Sequence, residues 1–252
     1  MNKDYKNNEN FYIYSHSSVP WQQQVLADFL DLISIKKNLH CLDAGCGIGN
    51  NLYTLLNFFN NITACDISKE AINYAKNRFK KSTANFIQAD IENLPFKDNY
   101  FDVVVCTETI EHVNDLTKAK SELLRVLKKD NGYLIISAPN YFNLAGLIKL
   151  IMDKFLGSEK WDVWGDVQKS NKEEREIFMT CFKLKRLFSQ KNNHIIKERG
   201  GDFLNSWFLF LPFVYRNFKF TDKHPFLWLG KFPFFKKIAM NYFIIIKTNL
   251  FQ

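Results

Sequence analysis

Between residues 22 and 140, short apolar runs alternate with stretches in which apolar residues recur every three or four positions. The first such stretch, 22–35, puts Val25, Leu26, Phe29, Leu32 and Ile33 on one face, as an amphipathic helix does. Strand-length runs follow at 39–44, 62–66, 85–90, 101–106 and 132–137. The run at 101–106 is so apolar that both of its faces need cover. Helical periods fill the gaps at 51–59, at 68–79, which opens on Ser68 with Glu70 in its first turn, and at 113–127. Strands alternating with helices imply right-handed crossovers and a doubly wound α/β sheet of parallel strands.

The pattern changes after Pro139. Leu144, Leu147, Ile148, Ile151 and Phe155 share one helical face over 144–155, and the polar stretch 161–176, with two Trp, reads as a loop or lid. A short helix is expected at 182–190, and strands at 194–199 and 242–247. Between those strands, 203–235 is dense in Phe, Leu, Trp and Pro, but its longest uncharged run, 203–215, is too short to span a bilayer. The expected organisation is a flexible segment at 1–20, a core at 21–140, and a lid, an insert and the last strands of the same sheet at 141–252.

Composition narrows the classes. Hydrophobic residues make up 46% of the 252, enough for a sizeable core and against global disorder. The five cysteines form no C-x-x-C pair, and 1–10 is polar with no apolar signal region; buried, reduced thiols in a cytoplasmic protein are expected. The net charge of +8 is uneven: residues 141–252 hold 19 Lys/Arg against 10 Asp/Glu, and 17 of the 25 Phe. A basic, aromatic C-terminal part suits a membrane surface, an anionic lipid or a nucleic acid, or a packed subdomain with a solvated rim.

The chemistry concentrates in His40-Cys41-Leu42-Asp43-Ala44-Gly45-Cys46-Gly47-Ile48-Gly49-Asn50. An apolar strand runs into a glycine-rich turn ahead of a helix, where ligands lie against bare backbone and unpaired N–H groups. The spacing is G-x-G-x-G, not that of dinucleotide binders, and no Lys-Ser/Thr follows as in a P-loop. The turn is entered through Asp43, which repels phosphate but can receive an ammonium. Asp66 ends the second expected strand and Asp90 the third, at the edge where open α/β sheets bind ligands. As a helix N-terminal acid or a turn acid, either also has an ordinary structural role.

The residues D-A-G-C-G-x-G resemble the first motif of class I S-adenosylmethionine (SAM) methyltransferases. Leu94-Pro95-Phe96-x3-Tyr100-Phe101-Asp102-Val103-Val104 and Leu123-Leu124-Arg125-Val126-Leu127-Lys128-Lys129-x2-Gly132 resemble later stretches of that family, so the likeness covers about 20–140. It implies a Rossmann-like doubly wound seven-stranded sheet, here with an aromatic-rich helical or loop insertion near the C-terminus. It also implies SAM as cofactor, with Asp43, Gly45 and Gly47 on the methionine moiety, Asp66 at the ribose, Asp90 and Ile91 at the adenine, and Ile67 and Thr107 also among the cofactor-binding residues. The implied acceptor is a small molecule or a lipid-linked one, methylated at oxygen.

Methyl transfer is an in-line displacement, and an oxygen acceptor needs its proton removed. In Cys106-Thr107-Glu108-Thr109-Ile110-Glu111-His112-Val113, His112 is the one ring base near the strand end, with Glu111 beside it. The E-x-x-E-H spacing resembles a motif of polyprenyl-dihydroxybenzoate O-methyltransferases and of small-RNA 2′-O-methyltransferases, which hold a divalent cation with a later His. Here no His lies between His112 and His194, so Asp162 or Asp166 would have to complete a site with Glu108, Glu111 and His112. The metal stays an open alternative to a metal-free Glu-His pair, as does a packing role for His112. The absence of a separate RNA-binding motif argues against nucleic acid. Peripheral membrane contact through 203–235, and SAM binding without catalysis as a regulator, are further alternatives.

Overall fold

The computed structural model describes residues 20–33, 35–143, 146, 177–189, 193–201 and 227–249. In these, seven strands form one sheet in the order β3-β2-β1-β4-β5-β7-β6. They are β1 (His40–Ala44), β2 (Asn61–Asp66), β3 (Asn85–Gln88), β4 (Val103–Thr107), β5 (Tyr133–Pro139), β6 (Asn193–Gly201) and β7 (Asn241–Thr248). The helices are α1 (Pro20–Leu32), α2 (Leu52–Phe58), α3 (Lys69–Arg78), α4 (Leu116–Val126), α5 (Cys181–Phe188) and α6 (Phe235–Ile238).

The first five strands pair in parallel, as the alternation of strands and helices predicts. The last two do not: β7 lies antiparallel between β5 and β6, so the sheet is mixed. Strand period alone carries no direction, which is why the reversal was not legible in the pattern. Strand order reverses between β1 and β4, and that is where a crevice opens beyond the carboxyl ends.

Both faces of the sheet are apolar, and each has its own core. Leu42, Val104, Cys106, Leu134, Ile136, Ile244 and Ile246 face α4 and α5, through Ala119, Leu123, Leu184 and Phe188. Their immediate neighbours Cys41, Val103, Val105, Ile135, Phe243 and Ile245 face α1 and α2, through Val25, Leu26, Phe29, Leu52 and Leu55. The period of two along each strand separates these sets, so the expected two-sided cover is what forms.

Some boundaries differ from the periodicity for identifiable reasons. The helix expected over 113–127 begins at Leu116, because Asp115 accepts hydrogen bonds from the N–H groups of Thr117 (2.8 Å) and Lys118 (3.1 Å) and caps it there. Ile110–His112 form a separate 3₁₀ turn. The third strand ends at Gln88, and Asp90 turns its Oδ1 onto the Glu92 N–H at 2.8 Å. All five cysteines are free and buried, and burial pushes the Cys65 thiol up to about 12. Of the segment expected to be flexible at 1–20 only Pro20 is described, where it opens α1, and of the helix expected at 144–155 only Gly146 is; the lid at 161–176 and residues 203–226 of the insert expected at 203–235 lie outside the described residues.

On the edge strand, Glu198 gathers hydrogen bonds from Lys185 of α5 (2.6 Å), Lys236 of α6 (2.8 Å) and the Tyr242 hydroxyl. Burial pushes its carboxyl up, but these three partners outweigh it and hold it down at about 2. The folded state therefore gains stability from this group above its ordinary value of 4.5 and loses it as pH falls toward 2. Glu198→Gln should cost about 1.5–3 kcal/mol at neutral pH, the worth of a charged hydrogen bond. Thermal unfolding followed by circular dichroism should show a gap between variant and wild type that closes as pH falls below 4.5. A gap unchanged by pH would assign the loss to packing.

Candidate active site

The site sits at the carboxyl ends of β1, β2 and β4. β1 delivers Asp43, which is fully buried between its two neighbours in the sheet. Its Oδ1 accepts a hydrogen bond from Asn51 Nδ2 at 2.9 Å, and the same amide donates to Thr107 Oγ1 at 3.0 Å. Asn51, the residue preceding α2, thus ties the end of β1 to the end of β4. The other carboxylate oxygen, Oδ2, is buried without a hydrogen-bond partner.

An orphan acceptor of this kind is costly unless a ligand completes it. Burial pushes the Asp43 carboxyl up to about 7; the Asn51 bond works against this, and the Asp66 charge adds to it. In the ligand-free fold the neutral form is favoured, so this group's stabilisation is full below the ordinary value of 3.8 and disappears as pH rises through about 7.

The turn after β1 places Gly45, Gly47 and Gly49 at φ of +75°, +51° and +85°. Gly45 is needed twice over, because a Cβ there would lie 2.2 Å from Thr109 Cγ2. Thr109 in turn donates to the carbonyls of Gly45 (3.3 Å) and Thr107 (2.9 Å), which clamps the β4 exit against the turn. A Cβ on Gly47 would meet nothing within 4 Å, so bare backbone faces open space there.

The turn's N–H groups are not the unpaired donors expected from a glycine loop. Gly45 and Cys46 donate to the Cys65 carbonyl (both 2.8 Å), Gly49 to the Cys46 carbonyl (2.9 Å), and Gly47 to Asp66 Oδ2 (2.8 Å). A ligand here meets a carboxylate and open backbone surface rather than a ring of free amides.

Asp66 ends β2, with Oδ2 on Gly47 and Oδ1 on the Ser68 N–H at 2.9 Å, so its plane is set at the rim of the turn. Ser68 caps α3 through the Ala71 N–H at 3.1 Å. Ile67 follows with 59% of its surface exposed, an apolar shelf beside Asp66. Asp90 stands past β3 next to this rim, where the Ala89 N–H bonds the Asp66 carbonyl (2.9 Å). Ile91 is buried in the core. Arg78 of α3 pins the turn from outside, on the Ile48 carbonyl (3.2 Å) and Asn50 Oδ1 (3.1 Å).

Beyond the turn, Glu108 holds φ +49° at the exit of β4. Its carboxylate accepts from Ser137 Oγ of β5 and Asn241 Nδ2 of β7, both at 2.6 Å. Glu111 is buried and His112 is exposed, with His112 Nε2 3.7 Å from Glu111 Oε1. Among the described residues no group of three or more His, Cys, Asp or Glu is placed to hold a metal ion. Asp162 and Asp166 lie outside those residues. The structure therefore brings together Asp43, Gly45, Gly47, Asp66 and Thr107, with Asp90 alongside and the Glu111–His112 pair beyond β4. Asn51, Thr109 and Arg78 escaped the sequence reading; only the polar Asn51 directly after the glycine turn gave any signal.

Residues 42–136 match the family model described as "Methyltransferase domain". The chain is 37% identical over 124 residues to a malonyl-[acyl-carrier protein] O-methyltransferase of Acetivibrio thermocellus, covering 48% of this chain and 43% of that protein. It is 33% identical over 101 residues to sterol 24-C-methyltransferase ERG6B of Gibberella zeae, covering 38% and 27%. The chain thus spans less than half the length of either curated relative. A crystal structure of an S-adenosylmethionine-dependent methyltransferase from Clostridium acetobutylicum superposes with a TM-score of 0.62 at 14% identity, covering 95% of this chain and 96% of that one. Residues 42–136 thus match a methyltransferase domain, and the fold is shared with a solved S-adenosylmethionine-dependent methyltransferase.

Gly47→Ala separates cradle from fold. The new methyl group costs about 1–2 kcal/mol for left-handed backbone and clashes with nothing, so the chain should fold, yet the methyl fills the open space and SAM affinity should drop at least tenfold. Calorimetric titration with SAM, alongside a thermal melt, measures both.

Proposed function

We propose that this protein transfers the methyl group of SAM to an apolar small-molecule or lipid-linked acceptor, at oxygen. The buried, unpartnered Oδ2 of Asp43 carries the cofactor half of this reading. Among biological cofactors that fit an acid-lined turn with open backbone, SAM combines an ammonium, a sulfonium and no phosphate. Asp43 would hold the ammonium, Gly47 would let the methionine chain lie on bare backbone, and Asp66 would take the ribose hydroxyls. Ile67 and Asp90 would flank the adenine, and Thr107 would close the site beside Asn51. When bound, SAM supplies an electrophilic methyl on a positively charged sulfur.

The chain's own part is to orient the acceptor and take its proton. Nε2 of His112 faces Glu111 Oε1, so the acceptor hydroxyl proton goes to Nδ1, and the buried carboxylate steadies the imidazolium that results. Glu108, fixed by Ser137 and Asn241, stands at the exit of β4 ahead of them in the chain. Support for an apolar acceptor comes from the aromatic C-terminal part and from relatives named as sterol and acyl-carrier-protein methyltransferases.

Two measurements test the reading. Pairing with an ammonium requires ionised Asp43, so SAM binding below pH 7 should release a proton, and affinity should weaken about tenfold per pH unit there. Calorimetry in buffers of different ionisation enthalpy reads the proton directly. Asp43→Asn should bind weakly and release none, and an affinity flat from pH 5 to 7 in the wild type would remove Asp43 from the site. His112→Ala should keep SAM affinity while methyl transfer from labelled SAM into lipid extracts falls about 10²–10⁴-fold, the usual worth of general base catalysis. Normal turnover in that variant would overturn the role of His112.

A further inference from the structure

The segment running into β7 carries a surface that the cofactor site does not use. In the ten residues from Trp228 to Lys237, three large aromatic side chains stand in solvent: Trp228 is 55% exposed, Phe232 50% and Phe234 67%. Lys231, Lys236 and Lys237 alternate with them, and Lys231 and Lys237 are themselves exposed. The patch continues across the Lys237 ammonium, 5.9 Å from the Phe182 ring, to Phe142, edge-on to Phe182 at 4.9 Å. Phe142 and Phe182 are each about half exposed. No Asp or Glu occurs in 177–189 or 227–249.

This exposure does not come from a loosely attached turn. Gly230 packs directly on the Gly200 carbonyl of β6, so closely that a Cβ would lie 1.9 Å from its oxygen. Lys236 is ion-paired to Glu198 of the same strand at 2.8 Å. The N–H groups of Phe232, Lys236 and Lys237 bond the Leu229, Phe232 and Phe234 carbonyls at 3.0–3.1 Å. A turn tied down this firmly could turn its rings inward, yet it holds them outward.

The patch also lies on the edge of the sheet where the site opens. Asn140, just past β5, donates to the Lys237 and Ala239 carbonyls, both at 2.8 Å, and Asn241 at the start of β7 donates to Glu108. Aromatic rings interleaved with lysines, of which Glu198 pairs Lys236 and leaves Lys231 and Lys237 exposed, match the chemistry of a lipid headgroup interface. We propose that Trp228, Phe232 and Phe234, with Lys231, Lys237, Phe142 and Phe182, dock the protein on an anionic membrane surface. The proposed contact is peripheral, and no helix among the described residues is long and apolar enough to cross a membrane. Its purpose, delivery of an acceptor from the lipid phase, rests on the lipid-linked reading of the acceptor; the contact itself does not.

The test is co-sedimentation of the full chain with vesicles of phosphatidylcholine alone, or of phosphatidylcholine with about one third phosphatidylglycerol. Binding to the anionic vesicles should be at least tenfold tighter. It should weaken with added salt, because the Debye length is only about 10 Å at 0.1 M. The triple variant Trp228→Ser, Phe232→Ser, Phe234→Ser should lose at least tenfold in vesicle affinity, and Lys231→Glu with Lys237→Glu should abolish the preference for anionic lipid. SAM affinity, titrated on the same samples, should stay unchanged in both, which keeps failure here distinct from failure of the methyltransferase reading. Wild-type binding to neither vesicle, or a triple variant that binds as the wild type does, overturns the proposal. So does a wild-type dimer that becomes monomeric in the triple variant, which would make the patch a contact between copies.

Discussion

A carboxylate with no solvent exposure, at the end of a central parallel strand, is the constraint around which this fold is arranged. Asp43 lies between β2 and β4, where water cannot reach it, and one of its oxygens has no partner. Such a group is unfavourable in an apolar sheet by about 1–3 kcal/mol or more. It persists because Asn51 takes up one oxygen and fixes the other. The same amide bonds Thr107, so the group that tolerates the buried acid also sets the distance between β1 and β4 at the crevice.

Around this acid the local structure is built for close approach of backbone. Thr109 lies so near Gly45 that a side chain there is excluded, while the space over Gly47 is open. Arg78 and Asp66 restrain the turn from outside and from the neighbouring strand. The turn is thereby rigid before any ligand arrives, which lowers the ordering cost of binding. The N–H groups of Gly45, Cys46, Gly47 and Gly49 are consumed in holding it.

The antiparallel β7 does for the exit of β4 what Asn51 does for the end of β1. It sets Asn241 opposite Pro139, where the amide reaches the Glu108 carboxylate, and it draws the 227–240 segment to the open edge of the sheet. Asn140 locks that segment through two backbone carbonyls. A chain that ended its sheet with a parallel strand would put those residues at the opposite edge.

Much of this was legible from the order of residues. Periodicity placed all seven strands within a few residues, and the order of residues put the acid-led glycine turn, Asp66 and Asp90 at the carboxyl ends of β1, β2 and β3, where the structure has them. These are local properties: side-chain period and turn chemistry depend on neighbours in the chain. The direction of β7, the bridge from Asn51 to Thr107, the packing of Thr109 on Gly45 and the hold of Ser137 and Asn241 on Glu108 were not legible. Each joins residues far apart in sequence, 56, 64, 29 and 133 positions in the four hydrogen bonds concerned. The sequence alone determined which residues could carry charge, turn tightly and form strands. Only the tertiary structure decided which of Asp43's oxygens is satisfied and that Glu111 is buried while His112 faces solvent.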